Sequence, residues 1–138
     1  MEHIEDAYLA FPTALHDPSI RKMQSNPKKL YAIDPGMVRA VTMDYENDLG
    51  RLFENVVYLD LRRLGCTVSY YLTSSRYEVD FLAQTTRGQK KLFQVAWDVQ
   101  DAATLEREQR ALQQGMEELN VEGELVTLDS YLRKRVMV

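Results

Sequence analysis

The chain has 138 residues, 45% of them apolar and 28% charged, with one cysteine and two histidines. That suffices for one domain with its own core, and it leaves too few thiols and imidazoles for a disulfide framework or a Cys/His zinc site. The net charge of −4 argues against indiscriminate phosphate binding, no run approaches the roughly 18 apolar residues of a membrane span, and the acidic start MEHIEDAYLAF is unlike a secretory signal, so a cytoplasmic protein with no membrane partner is expected.

In chain order, three of the four prolines fall within the first 27 residues. A short strand over residues 7–11 followed by a loop is expected there, the tail of a preceding linker or winged-helix region spanning residues 1–28. Residues 29–138 then form the α/β domain. Residues 29–33 read as a strand, and Asp34 caps a helix that opens with Pro35. The clearest helix spans residues 46–64, where Leu49, Leu52, Phe53, Val56, Val57 and Leu64 recur at helical spacing and Gly65 follows as a cap. The period then drops to two: residues 67–73, 77–84 and 91–99 read as strands, the last two joined by a turn through Gly88. A second helix over residues 102–120 carries Leu105, Leu112, Met116 and Leu119 on one face. A strand over residues 124–128 closes the series, with a polar, basic tail behind it. Helix, three-strand antiparallel meander, helix and strand together give a mixed sheet flanked by helices. Lys90–Lys91 and the closing Arg133, Lys134 and Arg135 read as solvated surface charge.

Strand alternation predicts which side chains meet. Tyr77, Val79 and Phe81 share one face of their strand, and Glu78, Asp80 and Leu82 the other. On the next strand Phe93, Val95 and Trp97 lie opposite Leu92, Gln94 and Ala96. A turn near Arg87 brings Asp80 opposite Gln94 or its neighbour, so Asp80, Gln94 and Ala96 are expected to converge.

The segments LYAIDPG, LGRLFENVVYLDLRRLG, YEVDFLAQ and LFQVAWD resemble the C-terminal domain of predicted AAA-superfamily ATPases of bacteria and archaea, a domain related to the PD-(D/E)XK nucleases and Holliday-junction resolvases. The resemblance covers about three quarters of the chain. It implies a restriction-endonuclease-like α/β fold and, as partner, an ATPase module of the same full-length protein. The chain itself has no GxxxxGK[ST] loop and hence no ATP site. In that superfamily a helix glutamate, a strand aspartate and a Glu-x-Lys on the next strand hold Mg²⁺ and activate water for phosphodiester hydrolysis. The resemblance places Glu54 and Asp80 at the first two positions. Gln94 stands at the acidic position and Ala96 at the lysine position.

Gln94 can lend a carbonyl oxygen to a metal but no charge, and Ala96 supplies nothing. The resulting expectation is a catalytically degenerate nuclease-fold domain, with weak or absent Mg²⁺ binding, serving nucleic-acid or partner binding or regulation. The alternatives are a Mg²⁺-dependent nuclease using Glu54, Asp80 and Gln94, and a structural domain that oligomerises the ATPase. Each site residue also has a structural reading. Glu54 can pair with Arg51 or face solvent, and Asp80 can lie on an exposed face beside Glu78. Asp60 falls inside the helix's apolar stripe and needs a partner such as Arg63. Trp97 reads as core. Of Tyr70 and Tyr71 only one can be core, and an apolar patch over residues 70–72 would invite a homo-oligomer. Cys66 has no nearby histidine and makes a poor nucleophile.

Overall fold

The computed structural model describes residues 9–37, 49–97 and 99–134. Its elements run β1 (Ala10–Thr13), α1 (Ile20–Ser25), β2 (Lys29–Ala32), α2 (Leu49–Arg63), β3 (Thr67–Leu72), β4 (Glu78–Gln84), β5 (Lys90–Ala96), α3 (Ala102–Leu119), β6 (Glu122–Thr127) and α4 (Leu128–Lys134). From α2 onward the order is the expected helix, three-strand meander, helix and strand. The sheet is mixed, β3-β4-β5-β6, with β5 and β6 parallel across the α3 crossover and the other neighbours antiparallel. β1 and β2 form a separate antiparallel pair. The architecture is thus α/β and compatible with a nuclease-like core. No helix among the described residues is long and apolar enough to cross a membrane.

Two segments expected to be irregular are helical. Residues 20–25 form α1, capped by the Ser19 hydroxyl, because the prolines flank this run rather than interrupt it. Residues 128–134 of the tail form α4, whose Leu128 and Tyr131 pack on the core, and Arg135 lies outside the described residues. The first strand begins at Ala10; residues 7 and 8 of that expectation, and residues 46–48 of the expected helix, lie outside the described residues. Pro35–Met37 are helical as expected, with Asp34 Oδ1 accepting from Gly36 N at 2.8 Å.

Each face of the sheet is covered by one helix. Phe53, Val57, Tyr58 and Leu61 of α2 pack with Phe81, Ala83, Phe93 and Val126. Ala111 and Leu112 of α3 pack with Val79, Leu82 and Leu92 on the opposite face. α2 stops where the sequence says it should: Gly65 turns with φ +78°, and Cys66 N donates to Leu61 O at 3.1 Å, a Schellman closure that a glycine accommodates without strain. Cys66 beneath it is buried, and burial pushes its thiol pKa up. Tyr70 is the core member of the tyrosine pair, its hydroxyl donating to Pro27 O at 2.8 Å, so residues 70–72 form no open apolar patch. Trp97 departs from expectation: it is 37% exposed and meets Phe53 edge-on at the rim of the core.

One irregularity determines the site. β3 pairs with β4 through Ser69↔Leu82 and then through Tyr71↔Val79. Between these pairs β3 advances two residues and β4 three, so β4 carries one extra residue at Asp80–Phe81. The extra residue breaks simple alternation. Val79 faces α3 together with Leu82, whereas Phe81 faces α2. The grouping of Val79 with Phe81, expected from period two, does not hold.

Candidate functional site

β2 delivers Lys29 and Tyr31 to one side of its strand by simple alternation. Tyr31 is buried and stacks on Tyr58 of α2, ring centroids 4.2 Å apart. Asn55 of α2 clasps the next residue from both sides: its amide nitrogen donates to Ala32 O at 2.8 Å and its oxygen accepts from Ala32 N at 2.8 Å. β2 is therefore seated on α2 at two adjacent positions. Lys29 is carried over Glu54.

The Lys29 ammonium lies 3.0 Å from Glu54 Oε1, 2.7 Å from Glu78 Oε1 and 3.2 Å from Asp80 Oδ1. Tyr31 donates its hydroxyl to the same Glu54 oxygen at 2.6 Å. The second Asp80 oxygen accepts from Val95 N at 3.0 Å. Both Asp80 oxygens thus act as acceptors, the arrangement of an ionised carboxylate, although burial and then the Glu54 charge raise its pKa above the usual range. Burial alone would lower the Lys29 pKa; Asp80, then Glu54 and Glu78, outweigh it and hold the ammonium firmly protonated. Burial and then Glu54 likewise raise the Tyr31 phenol, which stays a donor.

The register of β4 on β5, Phe81↔Phe93 and Leu82↔Leu92, runs as the turn near Arg87 implied. Continued by one residue it sets Asp80 beside Gln94, but side chains replace the backbone ladder there. Gln94 Oε1 accepts from Asp80 N at 3.2 Å, and Asp80 Oδ2 takes Val95 N. The expected convergence on one face fails for a physical reason. The bulge turns the Asp80 carboxylate toward α2, while Gln94, in phase with Leu92, directs its amide nitrogen to Glu108 of α3. Gln94 and Asp80 still border one cleft of about 310 Å³, together with Arg76, Arg107 and Glu108. A second cavity, about 690 Å³, lies between β2 and α2 and reaches Lys29, Arg51, Glu54 and Glu78. Ala96 is buried, paired with Thr127 of β6.

Of the expected site residues, Glu54 and Asp80 are therefore brought together, through Lys29. Gln94 touches Asp80 only at its backbone. Glu54 takes Lys29 and Tyr31 as partners in place of Arg51. Lys29, Tyr31, Glu78 and Glu108 were missed, and the i, i+2 spacing of Lys29 and Tyr31 on a strand was the available signal for the first two. Asp60 found the partner anticipated, Arg63 at 2.9 Å, and a second one, the Tyr131 hydroxyl at 2.6 Å.

These contacts bear on whether Mg²⁺ suits the site. Three carboxylates have the chemistry for a hard cation. Their common point is taken by the Lys29 ammonium, and Gln94, the third expected ligand, turns its amide elsewhere. Among the described residues no group of three His, Cys, Asp or Glu side chains is arranged to hold a metal. The residues as placed do not fit the ion.

An uncharacterised protein of Methanocaldococcus jannaschii is 31% identical over 134 residues, which cover 95% of this chain. The chain spans 29% of that relative's length. No protein-family model matches the chain, and no solved structure does.

Proposed function

We propose that the chain is a nuclease-fold domain appended to an AAA-type ATPase, unable to cleave phosphodiesters and acting as a module that binds nucleic acid or a protein partner. The observation that carries this reading is the third strand. Where hydrolysis needs a carboxylate and a lysine, β5 offers Gln94, engaged by Asp80 N–H and Glu108, and Ala96, 4% exposed and paired with Thr127. The relative's greater length leaves room for an ATPase module beside the region matched. The test incubates the domain with linear, single-stranded and four-way-junction DNA and with RNA, in millimolar Mg²⁺ or Mn²⁺, and measures binding to the same probes by fluorescence anisotropy. No cleavage is expected. Cleavage that Asp80→Asn abolishes in a folded variant overturns the reading.

One observation favours a second reading, a divalent-dependent nuclease. Lys29 is a basic side chain within 3.2 Å of Asp80, so β2 could supply the lysine that β5 lacks. On that reading Lys29→Met destroys a cleavage activity that the wild type possesses.

A further inference from the structure

We infer that Lys29 is the resident cation of the Glu54–Glu78–Asp80 cluster: its ammonium occupies the point that the nuclease resemblance assigns to a divalent metal and keeps such a metal out. The inference rests on the reading of the domain as a nuclease fold, and it concerns what fills that fold's acidic centre.

Three features carry it. The first is valence. An ammonium has three N–H donors, and Lys29 has three carboxylate neighbours at 2.7, 3.0 and 3.2 Å, a complete set. The second is anchorage. Two residues on, Tyr31 is buried against Tyr58 and Asn55 holds both backbone groups of Ala32, so the strand that delivers the ammonium is fixed to α2. The ammonium lies over the Tyr70 ring, 6.0 Å from its centroid, and the side chain is only 24% exposed. Little rotamer freedom remains to be lost. The third is that oxygens a metal would need are already engaged: Glu54 Oε1 by Tyr31 as well as Lys29, and Asp80 Oδ2 by Val95 N–H. A divalent ion with bonds of about 2.1 Å would have to expel the ammonium and then repel it at close range.

The test titrates Mn²⁺ into wild type, Lys29→Met and the double variant Lys29→Met/Asp80→Asn, reading paramagnetic broadening in amide NMR spectra and the thermal midpoint. The wild type should show no saturable broadening at Glu54, Glu78 and Asp80 through the millimolar range. Lys29→Met should bind at least tenfold more tightly than wild type and regain thermal stability on adding Mn²⁺, and the double variant should lose that gain. A folded Lys29→Met that takes up no more Mn²⁺ than wild type overturns the inference. If that variant does not fold, the wild type alone decides. Its Lys29 ammonium should give a slowly exchanging signal that Mn²⁺ leaves unbroadened, and saturable broadening there overturns the inference. The two proposals fail separately: a wild type that binds Mn²⁺ without cutting removes only this one, whereas one that binds and cuts removes both.

Discussion

Replacing Asn55 by alanine should be the most damaging single polar truncation outside the charged cluster. Asn55 is 6% exposed and its amide acts as a peptide group, satisfying both the N–H and the C=O of Ala32 at 2.8 Å. These groups lie on the edge of β2 away from β1, since Ile33 N donates to Leu9 O at 3.0 Å and leaves Ala32 and Ala10 as a non-hydrogen-bonded pair. Alanine leaves a donor and an acceptor without partners at a half-buried position, at about 1–3 kcal/mol for each group. Water can reach part of the site, so the lower half of that range applies, roughly 3 kcal/mol in total. For a domain of this size that lowers the midpoint of thermal unfolding by about 10 °C. Urea unfolding followed by circular dichroism measures it, with an unchanged slope expected if the native fold persists. Asn55→Asp retains the acceptor for Ala32 N and loses only the donor, adding carboxylate–carbonyl repulsion, so it should fall at or below the alanine variant in stability. A loss under about 0.5 kcal/mol for Asn55→Ala would refute the claim that this side chain seats β2.

Arg76→Gly should stabilise the protein. Arg76 stands at φ +64° at the end of the β3–β4 turn, where an L side chain costs about 1 kcal/mol. Glycine relieves the strain and gives part of the gain back through unfolded-state entropy, so a net rise of about 0.5 kcal/mol is expected in urea melts. Gly123→Ala should destabilise by about 1–3 kcal/mol, because a Cβ there would lie 2.7 Å from Met116 Sδ and 2.8 Å from Leu112 Cδ1; chemical unfolding measures this directly. Glu118 takes hydrogen bonds from Ser74 N, Ser74 Oγ and the Tyr71 hydroxyl, and these hold its carboxyl down at about 2. A depressed carboxyl stabilises above its unfolded pKa and ceases to as pH falls through the folded one. Exchange protection at the Ser74 amide should therefore fade between the ordinary glutamate range and pH 2, and Glu118→Ala should remove that dependence.

The order of elements from residue 49 onward was legible because each carries an unambiguous period or cap: the apolar stripe of α2 with Gly65 behind it, and the alternation of β5. Asp80 could be singled out because a charged residue in an apolar strand is unfavourable unless something partners it. Its orientation could not be read. Period two assumes equal spacing, and nothing in the letters EVDFLAQ marks the extra residue at Asp80–Phe81. Lys29 was hidden for another reason: its three partners lie 25, 49 and 51 positions away, and pairing of that kind is a property of tertiary packing. The helical tail was missed because a helix of about two turns carries too few apolar positions to show a stripe.

The bulge in β4 lets Glu78, Asp80 and Phe81 all turn toward α2, so strand length as well as residue identity sets the charge of the acidic centre. A substitution at Asp80 removes one carboxylate and leaves Glu54 and Glu78 around the ammonium. Deleting Asp80, the one residue between Val79 and Phe81, would remove the same carboxylate and also restore even alternation, leaving Val79 with Leu82 toward α3 and Glu78 toward α2. Glu54 and Glu78 would keep the Lys29 ammonium, and β3 would pair with β4 without a break. The deletion and an Asp80 substitution lose the same charge, so a difference in stability between the two variants would isolate what the extra residue itself does to the sheet.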